Sequence, residues 1–152
     1  MTDAVREQAL TYLRDHHVMS LATTGAYGIW SAALFYASQD FNLIFLSAGH
    51  TRHAQNIMTH PRVAATIQEN YQNWEEIKGI QLEGIAQHLQ DGEREAAIKL
   101  YTARFPFLLQ ADSMMKTALD KVNWYRIAPD TFYFIDNSQG LGHRTEVYLP
   151  SP

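Results

Sequence analysis

Runs rich in β-branched and aromatic residues, separated by breaks of only a few turn-forming residues, constrain this chain more than any other feature. Val18 to Thr24, Ile29 to Ala37 and Asn42 to Leu46 are divided only by Gly25-Ala26-Tyr27-Gly28 and Ser38-Gln39-Asp40. A parallel crossover needs a dozen or more residues, so breaks this short leave an antiparallel meander. Further strands are expected at Val63 to Gln68 and Ile80 to Leu89, with a polar loop at Asn70 to Gly79 between them. Val122 to Ile127 and Thr131 to Ile135 read as an aromatic-rich terminal hairpin around Ala128-Pro129-Asp130. Helical spacing marks residues 3 to 15, Thr51 to His60 before Pro61, and Glu93 to Arg104 before Phe105-Pro106, with a further short helix within 107 to 120. About six antiparallel strands leave exposed edges unless the sheet closes on itself. The expected architecture is therefore mainly β, of the α+β class: a small six-stranded antiparallel barrel with two to four peripheral helices, in one domain over residues 1–152. A barrel this small fills its lumen with side chains, so a ligand of any size must sit outside it or between subunits.

Composition excludes several kinds of chemistry. The chain has no cysteine, which removes disulfides, thiolate metal sites and cysteine nucleophiles. Its formal net charge of -4 opposes a surface built for nucleic acid or anionic lipid. Val18 to Gln39 carries no formal charge over a length that would cross a bilayer, but its serines, threonines and glycines suit two strands and a turn better. Met1 to Arg14 lacks the basic start and apolar core of a secretory signal, so a cytoplasmic protein is expected.

The segment from Phe45 to Asn56 carries the most chemistry. A strand ends, Ser47 offers a hydroxyl, Gly49 permits a tight turn, and a helix begins near Thr51 with Arg52 and His53 in its first turn. Free amides and the dipole at a helix start attract anions, and hydroxyls with a guanidinium add the charge-assisted donors that phosphate prefers. No carboxylate lies between Asp40 and Glu69, so the local field is positive within an acidic whole. This reads as a phosphate cradle, against the plainer alternative of a capped helix with a solvated arginine. His50, His53 and His60 offer a metal site its imidazoles but no carboxylate, and no metal is expected. Trp124, Tyr125, Phe132, Tyr133 and Phe134 read chiefly as core or interface, with Trp30 and Trp124 available to flank a planar ligand. The glycine-rich stretch from Asp136 to Arg144 reads either as a surface loop or as backbone that approaches a ligand closely.

Taken in order, His17-Val18-Met19-Ser20-Leu21-Ala22, the Trp30 to Tyr36 strand, Phe45-Leu46-Ser47 followed by Thr51-Arg52-His53-Ala54-Gln55, and His60-Pro61-Arg62-Val63 resemble the flavin-binding split barrels related to pyridoxamine 5'-phosphate oxidase. Gly79-Ile80-Gln81, Arg104-Phe105-Pro106 and Asp136-Asn137-Ser138 with Gly140-Leu141-Gly142 are most similar to the YhbP-like proteins among them. The resemblance implies a homodimer with FMN at the subunit interface. By it, Ser47, Thr51, Arg52 and His53 hold the phosphate, with His53 where the oxidases have lysine and therefore with pH-dependent affinity. Ser31, Ala32, Ala33 and Leu34 line the flavin ring edge, Gln81 reaches it from the other subunit, and Leu46, Trp124 and Asn137 complete the cofactor set. Ser31, Ile135 and Leu141 stand where the oxidases have an arginine, a tryptophan and the substrate arginine, so the vitamin oxidase activity is not expected. His143 persists and is the candidate catalytic acid. The expected function is an FMN-dependent oxidoreductase acting on a small conjugated molecule or a nicotinamide donor. The alternative is a non-catalytic flavin- or haem-binding module, with His143 or His50 as axial ligand.

Overall fold

The computed structural model of the chain describes residues 2–110 and 112–150, the Thr2 side chain excepted, so position 111 of the expected 107 to 120 helix lies outside the described residues. The strands are β1 (Val18–Gly25), β2 (Gly28–Phe35), β3 (Ala37–Gln39), β4 (Asn42–Ser47), β5 (Arg62–Gln68), β6 (Lys78–His88), β7 (Asn123–Asp136) and β8 (Arg144–Glu146). The helices are α1 (Thr2–Asp15), α2 (Arg52–Thr59), α3 (Asp91–Arg104) and α4 (Ser113–Lys121). Six long strands carry the fold, and β3 and β8 contribute only three residues each.

All described pairings are antiparallel, in the order β2-β1-β5-β6-β7-β4-β3 with β8 added beside β7. The two ends of this order, β2 and β3, are consecutive in the chain and separated by Tyr36 alone, so the sheet has to curl to bring them to one corner, where they stay unpaired with each other. The result is an antiparallel split barrel with four helices around it. Sequence pattern suggests one strand from Ile29 to Ala37; the structure breaks it at Tyr36, which is fully buried and donates its hydroxyl to the Leu13 carbonyl at 2.8 Å. That bond turns an alternating run into a corner tied to α1.

The expected terminal hairpin is also corrected. Residues 123–136 form one continuous strand, and Pro129 marks a bulge in it instead of a turn. The register slips between Glu83 and Gly84, where Thr131 and Pro129 stand opposite. Proline has no amide to donate and is tolerated at such irregularities. Gly84 makes room: a Cβ there would lie 2.2 Å from the Ala128 carbonyl oxygen.

Alternation then sorts the side chains. Met19, Leu21, Phe45, Val63, Ala65, Ile67, Ile80, Leu82, Phe132 and Phe134 point inward to fill the barrel, and Ala9, Tyr12 and Leu13 of α1 close one opening. A second core lies outside the β3–β4–β7 wall, where Ala97, Tyr101 and Phe105 of α3 and its end pack on Ile44 and Trp124. Between β2 and β6 the outer face instead carries small side chains, including Ser31, Ala33, Ser20, Ala22, Ala64 and Thr66, aligned in register. No described helix is long and apolar enough to cross a membrane.

Candidate functional site

The junction between β4 and α2 gathers most of the chemistry noted in the sequence. Ser47 ends β4, paired with Asn123 of β7, and is only 6% exposed. Thr51 is the N-cap of α2, and its hydroxyl oxygen accepts from the Ala54 amide at 3.3 Å, satisfying one free donor of the first turn. The Arg52 and His53 amides, also in that turn, have no acceptor within the helix. Thr51 also donates to the Ala48 carbonyl at 2.9 Å, while Gln55 donates to the Gly49 carbonyl at 2.6 Å, so the loop is braced from both sides.

Ser47, Thr51 and His53 share their polar atoms. His53 Nε2 stands 2.5 Å from Ser47 Oγ and 3.2 Å from Thr51 Oγ1, and the two hydroxyls are 3.1 Å apart. His53 is 7% exposed, and burial lowers its pKa below the ordinary 6.5. The imidazole is therefore neutral near pH 7 and orients the two hydroxyls as a hydrogen-bonding group. Protonation of His53, and with it any added positive charge at this position, is confined to pH below the ordinary histidine range.

Arg52 supplies the charge. Its guanidinium lies over the Trp30 ring, 4.4 Å from the centroid, and donates from Nη2 to the Tyr27 carbonyl at 2.9 Å. Its Nε is buried without a partner. The β1–β2 hairpin thus holds Arg52 flat, at the first turn of the helix that carries Thr51 and His53. A second contact seats the helix against that hairpin: Asn56, 7% exposed, donates to Thr23 Oγ1 at 3.0 Å. Asn56 and the Tyr27 carbonyl were not legible as site residues. Their only trace is an asparagine inside a short helix, a position that residue disfavours unless it has a partner.

The other expected residues are more dispersed. Ser31 and Ala33 face outward on β2 while Ala32 and Leu34 face the core, and β2 pairs only with β1, so its far edge keeps backbone donors and acceptors unpaired by any described strand. Leu46 is half-buried against the second core. Trp124 does not flank an open groove: it is 2% exposed and meets Tyr101 edge-on at 5.3 Å. Asn137 is a buried structural tie, donating to the Trp74 carbonyl at 2.9 Å and accepting from the Gly142 amide at 3.1 Å. His143 lines a separate groove beside α1 and has no hydrogen bond to the β4–α2 junction. Gln81 lies on the outer face, where its Oε1 accepts from Arg144 at 3.3 Å; Arg144 in turn stacks on Tyr133 at 4.3 Å. Among the described residues no group of three His, Asp or Glu side chains is arranged to hold a metal.

Comparison with known proteins gives a consistent picture. A profile of the pyridoxamine 5'-phosphate oxidase family matches residues 5–138. A UPF0306 protein of Enterobacter sp. (strain 638) is 33% identical over 135 residues, covering 88% of this chain and 89% of that one. Two solved structures share the fold. A putative pyridoxamine 5'-phosphate oxidase from Listeria innocua has a TM-score of 0.68 at 14% identity, covering 87% of this chain and 98% of its own. A heme binding protein from Mycobacterium smegmatis has a TM-score of 0.73 at 18% identity, covering 93% of this chain and 56% of its own.

Proposed function

Because this chain belongs to the pyridoxamine 5'-phosphate oxidase family, we propose that it is an FMN-binding protein that works as a homodimer and transfers electrons between a nicotinamide donor and a small conjugated acceptor. The observation that carries this reading is the β4–α2 junction. It offers the Ser47 hydroxyl, the Arg52 guanidinium and the first amides of α2, in a stretch without a carboxylate between Asp40 and Glu69. A phosphate monoester needs that set: several convergent N–H and O–H donors, one permanent positive charge and no competing anion. Arg52 pairs with the phosphate charge and Ser47 turns its hydroxyl proton outward while His53 Nε2–H holds its lone pair; Thr51, whose proton goes to the Ala48 carbonyl, caps α2 and steadies the loop. The unpaired edge of β2 suits the ring system, whose imide edge takes backbone hydrogen bonds.

FMN bound there supplies hydride and single-electron chemistry. The chain's part is to fix the ring, shield it from water and hold the phosphate. Ile29, Trp30 and Phe35 on β2 are 81%, 42% and 52% exposed, an apolar load on an edge strand that a second copy of the chain would cover. His143 reaches a flavin only if the partner subunit brings it there. Cytoplasmic residence fits a reducing, nicotinamide-rich setting.

A haem-binding module is the second reading, favoured by the likeness to the Mycobacterium smegmatis heme binding protein. Exposed His50 and His143 are its candidate axial ligands. The absorption spectrum of the purified protein, followed by titration of the stripped protein with FMN and with haemin, separates the two. A flavin spectrum and saturable FMN binding support the proposal; a Soret band that vanishes on substituting His50 or His143 replaces it with the second reading. Saturation by neither cofactor refutes both.

A further inference from the structure

A groove of about 550 Å³ runs between α1 and the β7–β8 turn, and it shares no lining residue with the β4–α2 junction. That volume lies within the range of small-molecule sites. Its floor is apolar, made by Phe134 of β7 with Ala4 and Val5 of α1. Over it stand Asp136, His143 and Thr145.

Asp136 is the unusual member. It is 9% exposed, and both of its hydrogen bonds, from the Ser138 amide at 3.0 Å and the Ser138 hydroxyl at 2.6 Å, fall on Oδ1. Oδ2 takes part in no described hydrogen bond, and Asp136 is in none of the ion pairs among the described residues. No lysine or arginine lines the groove, and the remaining polar groups there, Gln8 and Gln139, are neutral. Oδ2 is not sealed from solvent, so it is open to accept from a donor that enters the groove.

The turn around it is rigid. The Asp136 amide donates to the His143 carbonyl and the His143 amide to the Gly140 carbonyl, each at 3.0 Å, with Gly140 and Gly142 at φ of 137° and 71°. The groove is thus preformed, with one anionic acceptor above a flat apolar floor.

We infer that the groove between α1 and the β7–β8 turn is a second binding site, for a small molecule with a flat apolar body and a protonated nitrogen that pairs with Asp136. The site stands apart from the FMN proposal and can fail independently of it. Its test uses the full chain and three probes of one shape: benzamidine, benzamide and benzoate. Benzamidine should shift the Val5 and Thr145 amide resonances saturably, benzamide should bind at least tenfold more weakly, and benzoate should not bind. Asp136→Asn keeps an acceptor for Ser138 but removes the charge, and should weaken benzamidine at least tenfold. Ala4→Trp, at an exposed position on α1, should fill the groove and abolish binding, and it decides the matter alone if Asp136→Asn does not fold. Arg52→Ala should leave benzamidine binding unchanged. Shifts confined to other amides, benzoate binding as well as benzamidine, or full binding in Ala4→Trp overturns the assignment.

Discussion

Replacing Gly25 with alanine tests how α2 is seated against the first hairpin. The new Cβ would lie 2.0 Å from Asn56 Oδ1 and 2.7 Å from its Cγ, distances no real pair of atoms adopts. Asn56 must therefore leave its pocket or α2 must move. Either way the 3.0 Å bond to Thr23 is lost, and Thr23, 3% exposed, keeps a hydroxyl with nothing to answer it. The orphaned group costs about 1–3 kcal/mol, and the overpacking adds about 1–3 kcal/mol. A total near 3 kcal/mol corresponds to roughly 6–12 °C in Tm for a domain of this size. Asn56→Ala removes the obstructing atoms and costs the hydrogen bond once. In that background Gly25→Ala should be nearly free, so urea unfolding of the two single mutants and the double mutant should show a coupling of about 2 kcal/mol or more. Additive costs would refute this account of how the helix is placed.

Three further outcomes follow from the same contacts. His53 has a folded pKa lowered by burial, so the unfolded chain binds its proton first as pH falls; stability should be intact above about pH 6.5 and decline below it, by at most about 1.4 kcal/mol per pH unit, until the folded pKa is reached. His53→Gln should flatten that limb of the stability profile, and an unchanged profile contradicts the assignment. Gly84→Ala should destabilise by at least about 2 kcal/mol, because its Cβ meets backbone at Ala128 and Pro129, which have no rotamer with which to yield. Tyr36→Phe should cost about 1–2 kcal/mol by stripping the Leu13 carbonyl of its buried donor, visible as a lower urea midpoint with an unchanged m-value.

Much of the fold was legible because turn chemistry is local. The Gly25–Gly28 break, the Thr51 cap and the stop at Phe105-Pro106 all depend on residues adjacent in sequence, and each falls where the structure has a boundary, whereas of the expected Ser38–Asp40 break Ser38 and Gln39 belong to β3 and only Asp40 turns. What the sequence hid depends on partners distant along the chain. Pro129 reads as a turn until Gly84 of the neighbouring strand is placed opposite it, when the same residues become a bulge. Tyr36 looks like one more aromatic in a strand until Leu13 gives its hydroxyl an acceptor. At the site, Ser47, Thr51, Arg52 and His53 were identifiable because they lie within one short stretch. The lowering of the His53 pKa below the ordinary value was not, since it follows from burial by elements elsewhere in the chain. Trp124 lies in the second core, in keeping with the chief reading of its aromatic stretch, and Asn137 ties a loop through the Trp74 carbonyl.

The most direct measurement compares FMN with riboflavin, which lacks the phosphate, by fluorescence titration of the stripped protein and its Arg52→Ala variant. If the β4–α2 junction holds the phosphate, FMN binds the natural chain far more tightly than riboflavin, and Arg52→Ala loses about 1.5–3 kcal/mol of FMN affinity while leaving riboflavin affinity unchanged. Equal affinity for the two flavins, or an Arg52→Ala variant that still prefers FMN by the full margin, contradicts it.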